Sequence, residues 1–236
     1  MEGRYPNSLT PAEQSIRAAL VHIENHLDQT PTTLKTLSRS SGLSPHHLQE
    51  TFKKIVGLSP REFADYQRLS RFKERLRAGT SIADSCYEVG YGSSRALYEQ
   101  THRGLGMTPG AYRRGARGIL IHYAIFRSTL GFALVAATNR GVCCVLIADD
   151  DAFLVPQLRE EFPRATITRS FSPLGAVAAD VCSVEDPLLL KLPRILRERV
   201  YQAKIWNCLK QPERHASWLT SFCRPRRFNN LAGTIG

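Results

Sequence analysis

The sequence predicts a multidomain protein: an all-α N-terminal half of two helix-turn-helix subdomains joined by a long helix, then a mixed α/β region, then a helical C-terminal segment. Three observations predict it. Apolar residues between positions 10 and 117 recur at helical spacing almost without interruption. Within that stretch a glycine turn followed by a Gly-x-Ser/Thr-Pro closure occurs twice. From residue 119 the pattern becomes one of short apolar runs, and the charge changes with it. Residues 1–118 hold 17 basic and 11 acidic residues, 119–190 hold 5 and 8, and 191–236 hold 10 and 2. The expected boundaries are therefore 1–118, 119–190 and 191–236.

The first helix starts at Thr10-Pro11 and places Ile16, Ala19, Leu20, Ile23 and Leu27 on one face. A short helix carrying Leu34 and Leu37 ends at Gly42. Ser44 then caps the next helix, with Pro45 at its first position, where a missing N–H costs nothing. There Leu48, Phe52 and Ile55 face inward, leaving His46, Gln49, Glu50 and Lys53 outside. A long helix over about 60–78 buries Phe63, Tyr66, Leu69, Phe72 and Leu76. The motif then recurs. Ile82, Ala83 and Cys86 form an apolar face, Gly90 turns the chain, and Ser93 or Ser94 caps a helix over 93–105. That helix turns Leu97, Thr101 and Leu105 inward and Arg95, Tyr98, Glu99 and His102 outward. Gly57 follows Gly42 by fifteen residues and Gly106 follows Gly90 by sixteen, and Phe63 and Tyr112 occupy matching places after each closure.

A helix fits the major groove and presents outward side chains to base edges. The connecting helix, about 28 Å long at 1.5 Å per residue, approaches the roughly 34 Å between successive major grooves on one face of a duplex. The net charge of +11 suits a phosphate-rich partner. No apolar run reaches membrane-spanning length, and the N-terminus lacks a basic-then-apolar leader pattern, so a cytoplasmic protein is expected. The six cysteines form no C-x-x-C pair and read as reduced structural thiols; no cofactor and no metal is expected.

The segment GLSPHHLQETFKKIVGLSPREF, with GYGSSRALYEQTHRGLGMTPGAYRRGA after it, resembles the DNA-binding domain of the AraC/XylS family of transcription regulators. The resemblance implies reading helices over 45–56 and 93–105. It places base-reading positions at His46, Gln49 and Glu50 in the first, and at Ser94, Arg95, Tyr98 and Glu99 in the second. Glu50 and Glu99 either accept from a cytosine amino group or hold neighbouring arginines. Lys53, Lys54, Arg103, Arg113 and Arg114 are the candidate phosphate contacts, with solvated charge as the alternative for each. Double-stranded DNA at a promoter site and RNA polymerase are the implied partners.

In the second region ILIHYAIF reads as a strand with His122 on its surface. GFALVAATNRGVCCVLIADDD reads as a hairpin turning at Asn139-Arg140-Gly141. Cys143 and Cys144, adjacent in a strand, are expected on opposite faces. Asp149 to Asp151 read as helix-start acids, ahead of an apolar stripe of Leu154, Leu158 and Phe162. The stretch IHYAIFRSTLGFALVAATNRGVCCVLIADDDAFLVPQLREEFPRA resembles the N-terminal, ribonuclease-H-like domain of Ada-type methylated-DNA–protein-cysteine methyltransferases. VYQAKIWNCLK, 200–210, looks like the helix that opens their catalytic domain. That family's chemistry uses a Pro-Cys-His-Arg motif, which these 236 residues do not contain. The family's four-cysteine zinc domain has no counterpart in the sequence.

The expectation is a sequence-specific DNA-binding regulator whose methyltransferase half is truncated and inactive. The alternatives are a methyltransferase acting through a remaining cysteine and a non-activating DNA-binding remnant. Cys223, beside Arg224, Arg226 and Arg227, with His215 eight positions upstream, reads as a bystander. Apolar faces around Leu188, Ile195, Ile205 and Trp206 are expected to be partly exposed.

Overall fold

A computed structural model describes residues 9–27, 33–89, 104–128, 130–170 and 191–209. The helix expected over 93–105 lies outside these except for its last two residues. Leu188, Cys182, His215 and Cys223 lie outside them as well.

The N-terminal half is helical as expected. Helix α1, Pro11–Asn25, begins with a capping box: Thr10 accepts from the Glu13 N–H, and Glu13 returns to the Thr10 N–H at 2.7 Å. Its predicted stripe is buried. Helices α2, Leu34–Ser41, and α3, Pro45–Val56, end at Gly42 (φ 72°) and Gly57 (φ 75°), left-handed positions that a side chain would strain. Helix α4, Pro60–Arg77, opens, like α1 and α2, on a capping box, here Ser59 with Glu62. Helix α5 is Ile82–Glu88, and α6, Pro109–Arg113, is capped by Thr108 with Pro109 in its first turn. The two closures thus build the same N-terminus, Ser59-Pro60 and Thr108-Pro109.

Some inward assignments shift. In α4 Tyr66 is only partly buried. In α3 the buried row is Leu48, Phe52 and Val56, while Ile55 is only partly buried. In α5 Ala83 is exposed, and Ser85, Cys86 and Val89 are buried instead. A methyl group gains too little from burial to rotate a seven-residue helix against the larger Cys86 and Val89.

Strands β1, Leu120–Ser128, β2, Gly131–Thr138, and β3, Gly141–Ala148, form an antiparallel meander with Asn139–Arg140 as the hairpin loop. A short 3-10 turn, Asp151–Phe153, and helix α7, Leu154–Glu161, then return the chain to β4, Thr166–Arg169, parallel to β1. The sheet order is β3-β2-β1-β4. Asp150 accepts from the Ala152 N–H at 3.0 Å, so the aspartate run begins a helix. Leu154, Leu158 and Phe162 are buried beneath it.

The adjacent cysteines depart from simple alternation. Ala136 pairs with Cys144 and Ala137 with Val142, which leaves Cys143 as the extra residue of a β-bulge. Both thiols consequently join the same buried cluster, with Leu134 and Ala136, while Val142 joins the other.

Helix α8, Arg194–Leu209, begins earlier than the 200–210 expected and has a partner. Ile205 and Trp206 are 2% and 5% exposed, against the expectation of partial exposure, whereas Ile195 is exposed at 67%. The reason is that α8 lies between α4 and β3. Trp206 meets Tyr66 edge-on at 5.7 Å between ring centroids, and Tyr66 donates to Gln202 at 3.1 Å. Gly104 leaves room for this contact: a Cβ there would lie 2.7 Å from the Trp206 ring and 2.5 Å from Leu69. Strand β3 sits at the sheet edge, and two of its carbonyls are occupied by side chains. Lys73 donates to the carbonyl of Cys143, and Gln202 to that of Val145 at 3.2 Å.

The two buried clusters each cross the expected boundary at residue 118. One joins α1, α2 and α3 to one sheet face and α8. The other joins the C-terminal part of α4, α5 and α6 to the opposite sheet face and α7. No helix among the described residues is long and apolar enough to cross a membrane.

Candidate nucleic-acid interface

Helix α3 has one inward and one outward face because its apolar residues recur every fourth position. Leu48, Phe52 and Val56 anchor it, and Phe52 meets Phe63 of α4 at 6.4 Å between centroids. The register leaves His46, Gln49, Glu50, Lys53 and Lys54 exposed together. His46 Nδ1 lies 3.4 Å from Glu50 Oε2, so the partner of Glu50 in the unbound chain is this histidine rather than an arginine. The face thus offers the Gln49 amide, an imidazole braced by a carboxylate, and two ammonium groups at the helix C-terminal end.

Helix α4 carries this unit to the next. Its 18 residues span about 27 Å. Beyond it, Arg113 and Arg114 are exposed at the end of α6, and Tyr112 fixes that helix by being buried. Ser94, Arg95, Tyr98, Glu99 and Arg103 fall outside the described residues. The structure therefore brings together the first-helix candidates on one face, and places Arg113 and Arg114 at the opposite end of α4.

Sequence reasoning missed a buried polar cluster that fixes this arrangement. Glu161 of α7 accepts from the Tyr112 hydroxyl at 2.8 Å and from the Cys144 thiol at 3.0 Å, and pairs with Lys73 at 3.3 Å. Burial pushes the Glu161 carboxyl up, but Lys73, Cys144 and Tyr112 outweigh it and hold it below the usual carboxylate value. Burial also pulls Lys73 down, and the Glu161 carboxylate more than restores it. Burial drives the Cys143 thiol up to about 12 and Cys144 well above its ordinary value. Lys73, Cys143, Cys144 and Glu161 line a cavity of about 190 Å³ between α4, β3 and α8. The four partners come from α4, α6, β3 and α7, so no local sequence pattern points to them. Among the described residues no cluster of three His, Cys, Asp or Glu side chains could hold a metal ion.

Residues 37–115 match the family model of a helix-turn-helix domain. The chain is 31% identical over 204 residues to the bifunctional transcriptional activator/DNA repair enzyme Ada of Escherichia coli K12, covering 84% of this chain and 57% of that protein. It is 30% identical over 183 residues to the regulatory protein ada of Salmonella typhimurium, covering 77% of this chain and 52% of that one. An AraC-like transcription regulator of Streptomyces antibioticus is 36% identical over 83 residues, 35% of this chain and 27% of its own. The chain thus spans little more than half the length of the two Ada relatives. No solved structure matches it.

Proposed function

We propose that this chain, which carries an AraC-type helix-turn-helix domain followed by a region similar to Ada proteins, is a sequence-specific DNA-binding transcription regulator. One observation carries the reading. Helix α3 buries Leu48, Phe52 and Val56 and presents His46, Gln49, Glu50, Lys53 and Lys54 as a single exposed polar face.

A helix so mounted enters the major groove with its amide and imidazole toward base edges. Gln49 is suited to a bidentate contact with adenine. His46, steadied by Glu50, donates to a guanine or accepts from an amino group. Lys53 and Lys54 meet phosphates and fix register without reading sequence. A second reading helix over 93–105, carrying Ser94, Arg95, Tyr98 and Glu99, would enter the next groove, with Arg103, Arg113 and Arg114 on phosphates. The length of α4 supports that spacing.

The region from 119 onward supports the helices rather than performing chemistry. A meander followed by a parallel fourth strand is in keeping with a ribonuclease-H-like sheet, as the resemblance implies. We read this half as devoid of methyl-transfer activity, since the 236 residues contain no Pro-Cys-His-Arg motif and burial keeps Cys143 and Cys144 as thiols. Contact with RNA polymerase and a cytoplasmic setting complete the proposal.

The test is selection of binding sites from a randomised duplex pool by the full chain, followed by a promoter reporter carrying the selected site. A selected motif that disappears on replacing Gln49 and His46 together supports the reading. Recovery of no motif sinks it.

A further inference from the structure

Four arginines converge on one open hollow of about 720 Å³: Arg77 at the end of α4, Arg113 and Arg114 at the end of α6, and Arg164 in the turn between α7 and β4. All four are exposed, and none has an ion-pair or hydrogen-bond partner for its side chain among the described residues. What sets them apart from other unpaired surface arginines is that they line the same hollow. Arg68, Arg75, Arg194 and Arg199 each meet a carboxylate, as do Lys73 and Lys191. Two glutamates also line the hollow. Glu161 is engaged by Lys73, Tyr112 and Cys144 and its carboxylate also feels the Arg77 charge, so Glu160 and a largely occupied Glu161 are the acids set against the four guanidinium groups.

The walls of the hollow are held in place. The Arg164 N–H donates to the Gly115 carbonyl at 2.9 Å, and the Thr166 N–H donates to that of Ile119 at 2.9 Å. Gly115 (φ 70°) lies so close to Pro163 that an added Cβ would sit 3.0 Å from the proline ring. The turn bearing Arg164 is therefore fastened to the end of the helix-turn-helix half. Four guanidinium groups gathered on such a frame against two carboxylates favour a polyanion, and their planar forks match phosphate oxygens.

We propose that this basin binds the phosphodiester backbone of duplex DNA, so that Arg164, from the sheet half, and Arg77 hold the same DNA that the helices read. The inference rests on the DNA-binding reading above and extends it to two arginines outside both reading helices and to a segment beyond the helix-turn-helix domain. The contact is sequence-independent. It lengthens the footprint past α6 and adds to the salt dependence of binding, because each neutralised phosphate releases counterion.

The experiment compares the full chain with Arg164→Gln, Arg77→Gln and Arg159→Gln, the last being an exposed arginine of α7 outside the basin. Lys53→Gln serves as the control for the reading helix. Affinity for a selected site within a 40-base-pair duplex, and for a random duplex of equal length, is followed against salt. Arg164→Gln and Arg77→Gln should each weaken both complexes alike and lower the slope of log affinity against log salt by about 1. Arg159→Gln should leave both unchanged. If the two basin variants match the unmodified chain while Lys53→Gln weakens binding, the basin proposal falls and the DNA-binding reading stands. If the unmodified chain binds neither duplex, both fall together.

Discussion

The Tyr112 hydroxyl donates to Glu161 at 2.8 Å, joining the last helix of the helix-turn-helix half to the helix that leads into β4. Tyr112→Phe removes that bond and leaves Glu161 its Lys73 and Cys144 partners. It should destabilise the chain by about 0.5–1.5 kcal/mol, read from the urea midpoint. No change would mean that the bond contributes nothing net.

Glu161→Gln should cost more, about 3–5 kcal/mol, because it leaves the Lys73 ammonium buried without its counter-charge. The pH dependence has a definite sign. The Glu161 carboxyl is held below its ordinary value, so its contribution is full above the unfolded-state value of about 4.3 and is lost as pH falls through the folded one. Lys73 is held above its ordinary value. Its contribution is full below about 10.4 and is lost as pH rises through the folded value. The stability gap between the two proteins should therefore be widest near neutrality and shrink in acid. A gap unchanged down to pH 3 would contradict this account.

Gln49→Ala should weaken binding to the selected site by about 1–3 kcal/mol and relax preference at one base position, with little effect on random duplex. Equal losses on both would make Gln49 a backbone contact. Competition titrations distinguish the two.

Gly104→Ala should destabilise the chain, since the added carbon meets Leu69 and Trp206 at under 3 Å in a buried setting. Trp206→Ala should cost about 3–5 kcal/mol. Residues 1–118 prepared alone lose the packing of Val200, Ile205 and Trp206, and should unfold at lower urea than the full chain and bind DNA more weakly. Equal midpoints would show that the two halves stand apart.

No methyl group should pass from O6-methylguanine DNA to the protein. Burial pushes the Cys143 and Cys144 thiols above their ordinary value, so at neutral pH both stay as the poorly nucleophilic thiol. Incubation with isotopically labelled methylated duplex and peptide mapping would reveal any transfer; label on a cysteine would overturn the claim.

Much of the helical half was legible because its signals are local. Thr10-Pro11, Ser44-Pro45 and Ser59-Pro60 fix helix starts within a few residues, Gly42 and Gly57 fix ends, and four-residue spacing fixes the face of α3. The hairpin at Asn139–Arg140 was legible for the same reason. The misplaced features depend on distant partners. The bulge that puts Cys143 and Cys144 on one face is defined by pairing with Ala136 and Ala137, which strand alternation within β3 alone cannot register. The burial of Ile205 and Trp206 depends on α4, well over a hundred residues earlier in the chain. Arg77 and Arg164 look like ordinary surface charges until the fold sets them around one hollow.

The occupied carbonyls of Cys143 and Val145 have a consequence for assembly. An edge strand with bare carbonyls invites a strand from a second molecule, which is a route to dimers by strand addition and to aggregates. Here Lys73 and Gln202 take those acceptors, and α4 and α8 stand where an incoming strand would lie. A second copy seeking to extend the sheet at β3 must first expel both helices, and with them the anchor of the first helix-turn-helix unit. The side of the molecule that secures the DNA-reading half is thereby also the side on which the sheet cannot grow.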